Sequence, residues 1–270
     1  MDAETRGRVK GLVSDFMDRW LNDNFPLSEL AMIEEEGVSP SGLLAPFHDA
    51  LVPAITQLKE RSFSTRLGNL HERVAKAIAR PVHAEVRIAY DLTGEIPLVT
   101  REWIAQRVAQ LRGRVAKPDF EFERQNIIGG IGQRVTVLIP DMDLFIRTHE
   151  GEEHYFEIKS PKANIGQAAA VKEQLMTAVA MRQSQQAWAW WGVPYNPYGS
   201  APFSHPFAQP FFDFEREVMI GPKFWNFVAQ SDETYEELLD VYREVGVAFQ
   251  GRLSEIRRRL EEAARRSAGA

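Results

Sequence analysis

At 270 residues, 44% of them hydrophobic and 26% charged, the chain can bury a full core in one large domain or a core with a helical appendage. It has no cysteine, which excludes a disulfide framework and a thiolate zinc site, and its six histidines show no metal-ligand spacing. A formal charge of −6 argues against nucleic-acid binding through overall basicity, so any DNA-binding charge must be local.

In chain order, Val9, Leu12, Val13, Phe16, Met17 and Trp20 recur at helical spacing, and Asn22 to Pro26 should stop that opening helix. Leu27 to Glu60 reads as helix broken by Gly37, Pro40, Pro46 and Pro53 into short pieces that form a satellite of the core. Leu70, Val74, Ala77 and Ile78 mark the next helix, ended by Pro81, and Val82, Val86 and Ile88 alternate as a strand would. Trp103 to Leu111 reads as a basic amphipathic helix. Basic residues cluster at Arg101, Arg107, Arg112, Arg114 and Lys117 and again at Lys159, Lys162 and Lys172, while acids gather at Glu34 to Glu36 and Asp232 to Glu244. Either a basic cleft sits on an acidic body, or these are solvated helix faces.

The stretch Val135 to Gln167, VTVLIPDMDLFIRTHEGEEHYFEIKSPKANIGQ, reads as two strands joined by a polar hairpin from Arg147 to Glu153 and followed by a helix. Asp141 and Asp143 lie two residues apart and so share one face of an extended strand. His154 to Ser160 resumes as a strand in which Glu157 and Lys159 share a face, roughly 7 Å apart at about 3.3–3.4 Å per residue. Cleavage of a phosphodiester by in-line attack of water needs a cation that neutralises phosphate charge and acidifies the water. Magnesium keeps several waters and takes one or two protein carboxylates, so Asp143 and Glu157 are about the right number, and Lys159 could orient the water or offset charge on the phosphorane. The Ile158 carbonyl could add a ligand. An acid followed later by Glu-x-Lys is a permissive pattern, and an edge strand with a solvated Glu–Lys pair is the alternative.

Pro161 ends pairing, and a helix follows with Ala168, Val171, Leu175, Ala178 and Val179 as its apolar positions and Lys172 on its far face. Lys162, Asn164, Gln167 and Lys172 could reach phosphates or base edges, although Asn164 and Gln167 could equally cap the helix. Ala187 to Val193 suits a buried strand, with Trp188 and Trp190 on one side as core rather than stacking platforms. Pro194 to Phe214 is too long for a simple turn and should embrace DNA or make a dimer contact. Leu239, Tyr242, Val245, Phe249, Leu253, Ile256 and Leu260 form a closing helical seam for internal packing or a second subunit.

With PDMDLFI followed by YFEIKSPKANIGQ, the chain resembles the PD-(D/E)XK nuclease superfamily, and EIKSPKANIGQ is similar to type II restriction endonucleases of the TdeIII kind. SFSTRLGNLHERVAKAIA from Ser62, YNPYG from Tyr195, FDFEREVMIGPKFWNF and TYEELLDVYREVG support the narrower likeness, which covers most of the chain. The resemblance implies an α/β fold, strictly α+β, with a central mixed sheet flanked by helices. It implies one nuclease domain: a helical elaboration over 1–60, a catalytic core over 62–193, and a loop and C-terminal helices over 194–270 for DNA or dimer contacts. It implies magnesium-dependent, sequence-specific cleavage of double-stranded DNA at a short palindrome of the GGNCC type, and a cognate DNA methyltransferase as genetic partner. The superfamily's first acid falls on Asp143 or Asp141; Asp143 is favoured, with Asp141 a second ligand or a partner for a base. Glu72, on the helix before the sheet, is expected to assist the metal site, its alternative being an i,i+4 pair with Lys76. A palindromic site implies a homodimer. No run approaches the ~18 apolar residues that span a bilayer, and MDAETRGRVKGLVSDF lacks a signal core, so a cytoplasmic location is expected. A structure-specific repair nuclease and a noncatalytic DNA-binding module are the rival readings.

Overall fold

The structure, a computed structural model, describes residues 1–24, 60–159, 164–199 and 201–268. They fall into two compact units, Met1–Leu70 with Glu233–Ala270, and His71–Asp232.

In the first unit the opening helix α1 (Ala3–Asn24) packs against the long closing helix α7 (Thr234–Ala268). The predicted stripe holds: Val9, Val13 and Met17 are fully buried in α1, as are Tyr242 and Val245 in α7, while the expected Asn22–Pro26 breaker lies partly outside the described residues. Lys10 reaches Glu244 at 2.9 Å and Arg252 reaches Asp18 at 3.0 Å, exposed pairs that set register more than stability. The short pieces expected over Leu27 to Glu60, with the acidic run Glu34 to Glu36, lie outside the described residues except for Glu60, which opens α2 (Glu60–Ala79).

The second unit is built on a five-stranded sheet of order β1-β4-β5-β6-β7: Glu85–Arg87, Leu144–Arg147, Glu153–Ile158, Ala187–Val193 and Val218–Ile220. The β1/β4 and β4/β5 pairs are antiparallel and the β5/β6 and β6/β7 pairs parallel, which confirms the expected mixed sheet flanked by helices. The β4–β5 hairpin closes as anticipated between Arg147 and Glu153, with Gly151 supplying a positive φ of 89°. Central β5 is buried over five of its six residues, so its apolar run is continuous rather than alternating. Parallel β5 and β6 need a crossover, which α5 (Ile165–Arg182) supplies while packing on both strands. On the opposite face Phe224 and Phe227 of α6 (Pro222–Ala229) meet the Phe156 ring, with Trp190 alongside Phe227. Gly192 suits the close approach there, because a Cβ would lie 3.0 Å from the Phe224 ring.

A separate two-stranded ribbon, β2 (Tyr90–Pro97) with β3 (Arg134–Met142), covers α5 through β2. The helices α3 (Leu98–Arg112) and α4 (Phe120–Ile127) pack on α5 as well. Periodicity located α3 but not β2, α4, α6 or β7. The last three are shorter than the windows over which periodicity is legible, and β2 is interrupted by Gly94 and ends on Pro97. No described helix is long and apolar enough to cross a membrane.

Candidate active site

The site is made where β3 leaves its ribbon and enters the main sheet. In the β2–β3 register Tyr90 faces Met142 and Leu92 faces Ile139, so β3 carries one extra residue around Pro140 and Asp141. Asp141 takes a left-handed φ of 51°, and its N–H donates to Asp91 Oδ1 at 3.1 Å. Such a bulge re-aims the chain beyond it. The same-face rule for residues two apart therefore fails: Asp141 is exposed on the ribbon, while Asp143 turns inward toward the end of β5.

There Asp143 Oδ2 accepts from the Ile158 N–H at 2.7 Å and from Lys159 Nζ at 2.9 Å. The same Lys159 ammonium lies 2.8 Å from Glu157 Oε2. Glu157 points its side chain toward α5, where Gln174 Nε2 donates to its Oε1 at 2.6 Å. Each Glu157 oxygen thus has its own donor, as a carboxylate only 4% exposed requires. Burial, then the nearby charge of Asp143, pushes the Glu157 carboxyl up to about 7. Burial likewise raises Glu72 on α2 to about 7, with Asp143 and Glu157 adding repulsion and Lys159 opposing it. Glu72, Asp143, Glu157 and Lys159 therefore form one electrostatic group.

A family model, "Type II restriction endonuclease, HinfI", matches residues 6–246. The chain belongs to the HinfI family of type II restriction endonucleases. Its likeness to curated type II restriction enzymes extends over nearly its whole length. It is 32% identical over 95% of its residues to the type II restriction enzyme HgiCII of Herpetosiphon aurantiacus, covering 97% of that protein. It is 31% identical to HgiBI and to HgiEI of the same organism, over 90% of this chain and 94% of each of them. Members of such a family are site-specific deoxyribonucleases acting on double-stranded DNA, and type II restriction enzymes generally use a divalent metal.

In this HinfI-family chain the donor set fits such an ion. Two carboxylates, Asp143 and Glu157, contact one ammonium and Glu72 adds a third acid within electrostatic reach, so the group is short of positive charge. Among the described residues no three acidic or histidine side chains converge closely enough to enclose a metal by themselves. Two carboxylates completed by water and phosphate are what magnesium prefers.

The other predicted residues fare differently. Lys172 is not a DNA contact: it is 0% exposed, lying 2.5 Å from both Glu123 and Glu217. The expected far face was misplaced, since Lys172 follows Ala168 by four residues and precedes Leu175 by three, on the apolar stripe itself. Arg107, counted among the basic cluster, is buried too and closes the group with Glu123 at 2.9 Å. Asn164 and Gln167 form a capping box, each side-chain oxygen accepting the other's backbone N–H at 2.9 Å. Both stay exposed. Lys162 lies outside the described residues. Gln174 escaped the sequence reading, although it sits three residues after Val171 and four before Ala178; a polar residue in an apolar stripe was the available signal.

Proposed function

We propose that this chain is a magnesium-dependent PD-(D/E)XK restriction endonuclease that hydrolyses phosphodiester bonds within a short palindrome of the GGNCC type, as its likeness to the TdeIII kind implies. The observation that carries the reading is Lys159, one third exposed and held between Asp143 and Glu157 beside a third acid. Asp143 and Glu157 are the proposed metal ligands. Bound magnesium would supply charge neutralisation at the phosphate and acidified water. Lys159 orients the attacking water and offsets charge on the phosphorane. Gln174 and the Ile158 N–H hold the two carboxylates in place, and Glu72 assists from α2.

Asn164 and Gln167, whose oxygens serve the helix cap, offer their amide N–H groups to phosphates, and Lys162 adds charge on the same segment. The two units act as one nuclease, with the 194–270 segment for DNA or dimer contacts. The enzyme works as a cytoplasmic homodimer cutting one strand per subunit, with a DNA methyltransferase as its genetic partner.

The test is digestion of a long unmethylated duplex with magnesium, beside Lys159→Ala, with fragment ends sequenced. Discrete fragments sharing one palindrome, missing from the variant's digest, are expected. A well-folded wild type that never cuts under varied salt and metal would point to a binding module instead. Products that follow DNA junctions or ends rather than a sequence would point to a repair nuclease.

A further inference from the structure

YNPYG, from Tyr195 to Gly199, is a motif that the catalytic group leaves unexplained. It begins where β6 leaves the sheet, and the parallel register puts that exit beside the site: Ile158 pairs with Gly192, and the Lys159 N–H donates to the Gly192 carbonyl at 3.0 Å. The chain then runs past the Trp225 indole, whose N–H donates to the Pro194 carbonyl at 2.8 Å. The Tyr195 ring meets His71 edge-on at 6.2 Å, and His71 directly precedes Glu72. The segment therefore starts three residues after the strand position bonded to Lys159 and touches the residue next to Glu72.

The turn is also rigid. The Asn196 side-chain amide donates to the carbonyls of Gly199 at 3.0 Å and Ala201 at 2.7 Å, and its oxygen accepts from the Tyr198 N–H at 3.0 Å. Gly199 takes a φ of +63°, where a side chain would be strained. This bracing holds up a single large side chain. Tyr198 is 51% exposed, with Phe203 packed on one side at 6.3 Å. An exposed aromatic ring on a preorganised turn loses little freedom on binding.

We propose that Tyr198 is a DNA contact, its ring lying against the deoxyribose and base next to the bond being cut, and that Asn196 is the positioning residue which presents it. The inference rests on the nuclease reading above. Its test separates the two by measuring binding alone: fluorescence anisotropy of a labelled random-sequence duplex with calcium in place of magnesium. Tyr198→Ala should bind on the order of tenfold more weakly, with Tyr198→Phe within about twofold of wild type. Asn196→Ala should weaken binding by less than Tyr198→Ala. Phe207→Ala, which removes another half-exposed ring of the same loop, should change nothing. Ultraviolet crosslinking to the same duplex carrying 5-iodouracil should label the peptide containing Tyr198. Equal affinity of Tyr198→Ala and wild type, with crosslinks elsewhere, would overturn the proposal, as would a change in sedimentation alone, which would make the turn a subunit contact. Failure of the wild type to cut DNA bears on the nuclease reading and leaves this binding comparison decisive for Tyr198.

Discussion

Two lysines thirteen residues apart sit in nearly the same local geometry and serve opposite ends. Lys159 lies between Asp143 and Glu157; Lys172 lies between Glu123 and Glu217. Their surroundings differ in access and in charge balance. Lys172 is 0% exposed, and Arg107 brings its group to two cations and two anions. Lys159 is 34% exposed, and Glu72 leaves its group with more anions than cations. A lysine between carboxylates is thus a fastening when closed and balanced, and a site for a further cation when open and over-negative.

The largest way to break that comparison is Lys172→Met. It strands two buried carboxylates and should cost about 3–5 kcal/mol of stability, read from urea unfolding midpoints. Lys159→Ala should do the reverse, lowering the cleavage rate by on the order of 10²–10³ while costing less stability than Lys172→Met. Equal stability losses in the two variants would erase the distinction.

Buried histidines limit the pH range for these measurements, among them His154, whose Nδ1 accepts from the Trp190 indole N–H at 3.1 Å. Burial holds it down to about 4 from 6.5 despite Glu152 at 3.6 Å. The folded protein then binds fewer protons than the unfolded chain between those values, so this stability is present above pH 6.5 and lost as pH falls toward 4. On going from pH 7.5 to 4.5, wild type should lose on the order of 2 kcal/mol more than His154→Gln. The lysine variants are best compared above that window.

Gln174→Leu should leave one Glu157 oxygen without its donor and weaken metal binding by roughly 10- to 100-fold, read from calcium titration calorimetry. The smallest effect belongs to Asp141→Asn. It should keep activity within about threefold of wild type while Asp143→Asn abolishes it, because only Asp143 accepts from Ile158 and Lys159.

The sequence by itself determined the elements whose periodicity is long and the order of the chemistry. The α1 and α7 stripes, the helix after Asn164, the Arg147–Glu153 hairpin and the succession Asp143, Glu157, Lys159 all depend on neighbours within a few residues. Glu72 came from resemblance, and it lies within electrostatic reach of Asp143. What tertiary structure alone decided are pairings across the sheet and between layers. The bulge that parts Asp141 from Asp143 depends on Asp91, fifty residues earlier, and Gln174 meets Glu157 only because α5 folds back over β5. Lys172 passed for a surface cation because its partners Glu123 and Glu217 lie far off in sequence on either side. Burial of a charge is decided by what the rest of the chain brings to it, and no local pattern records that.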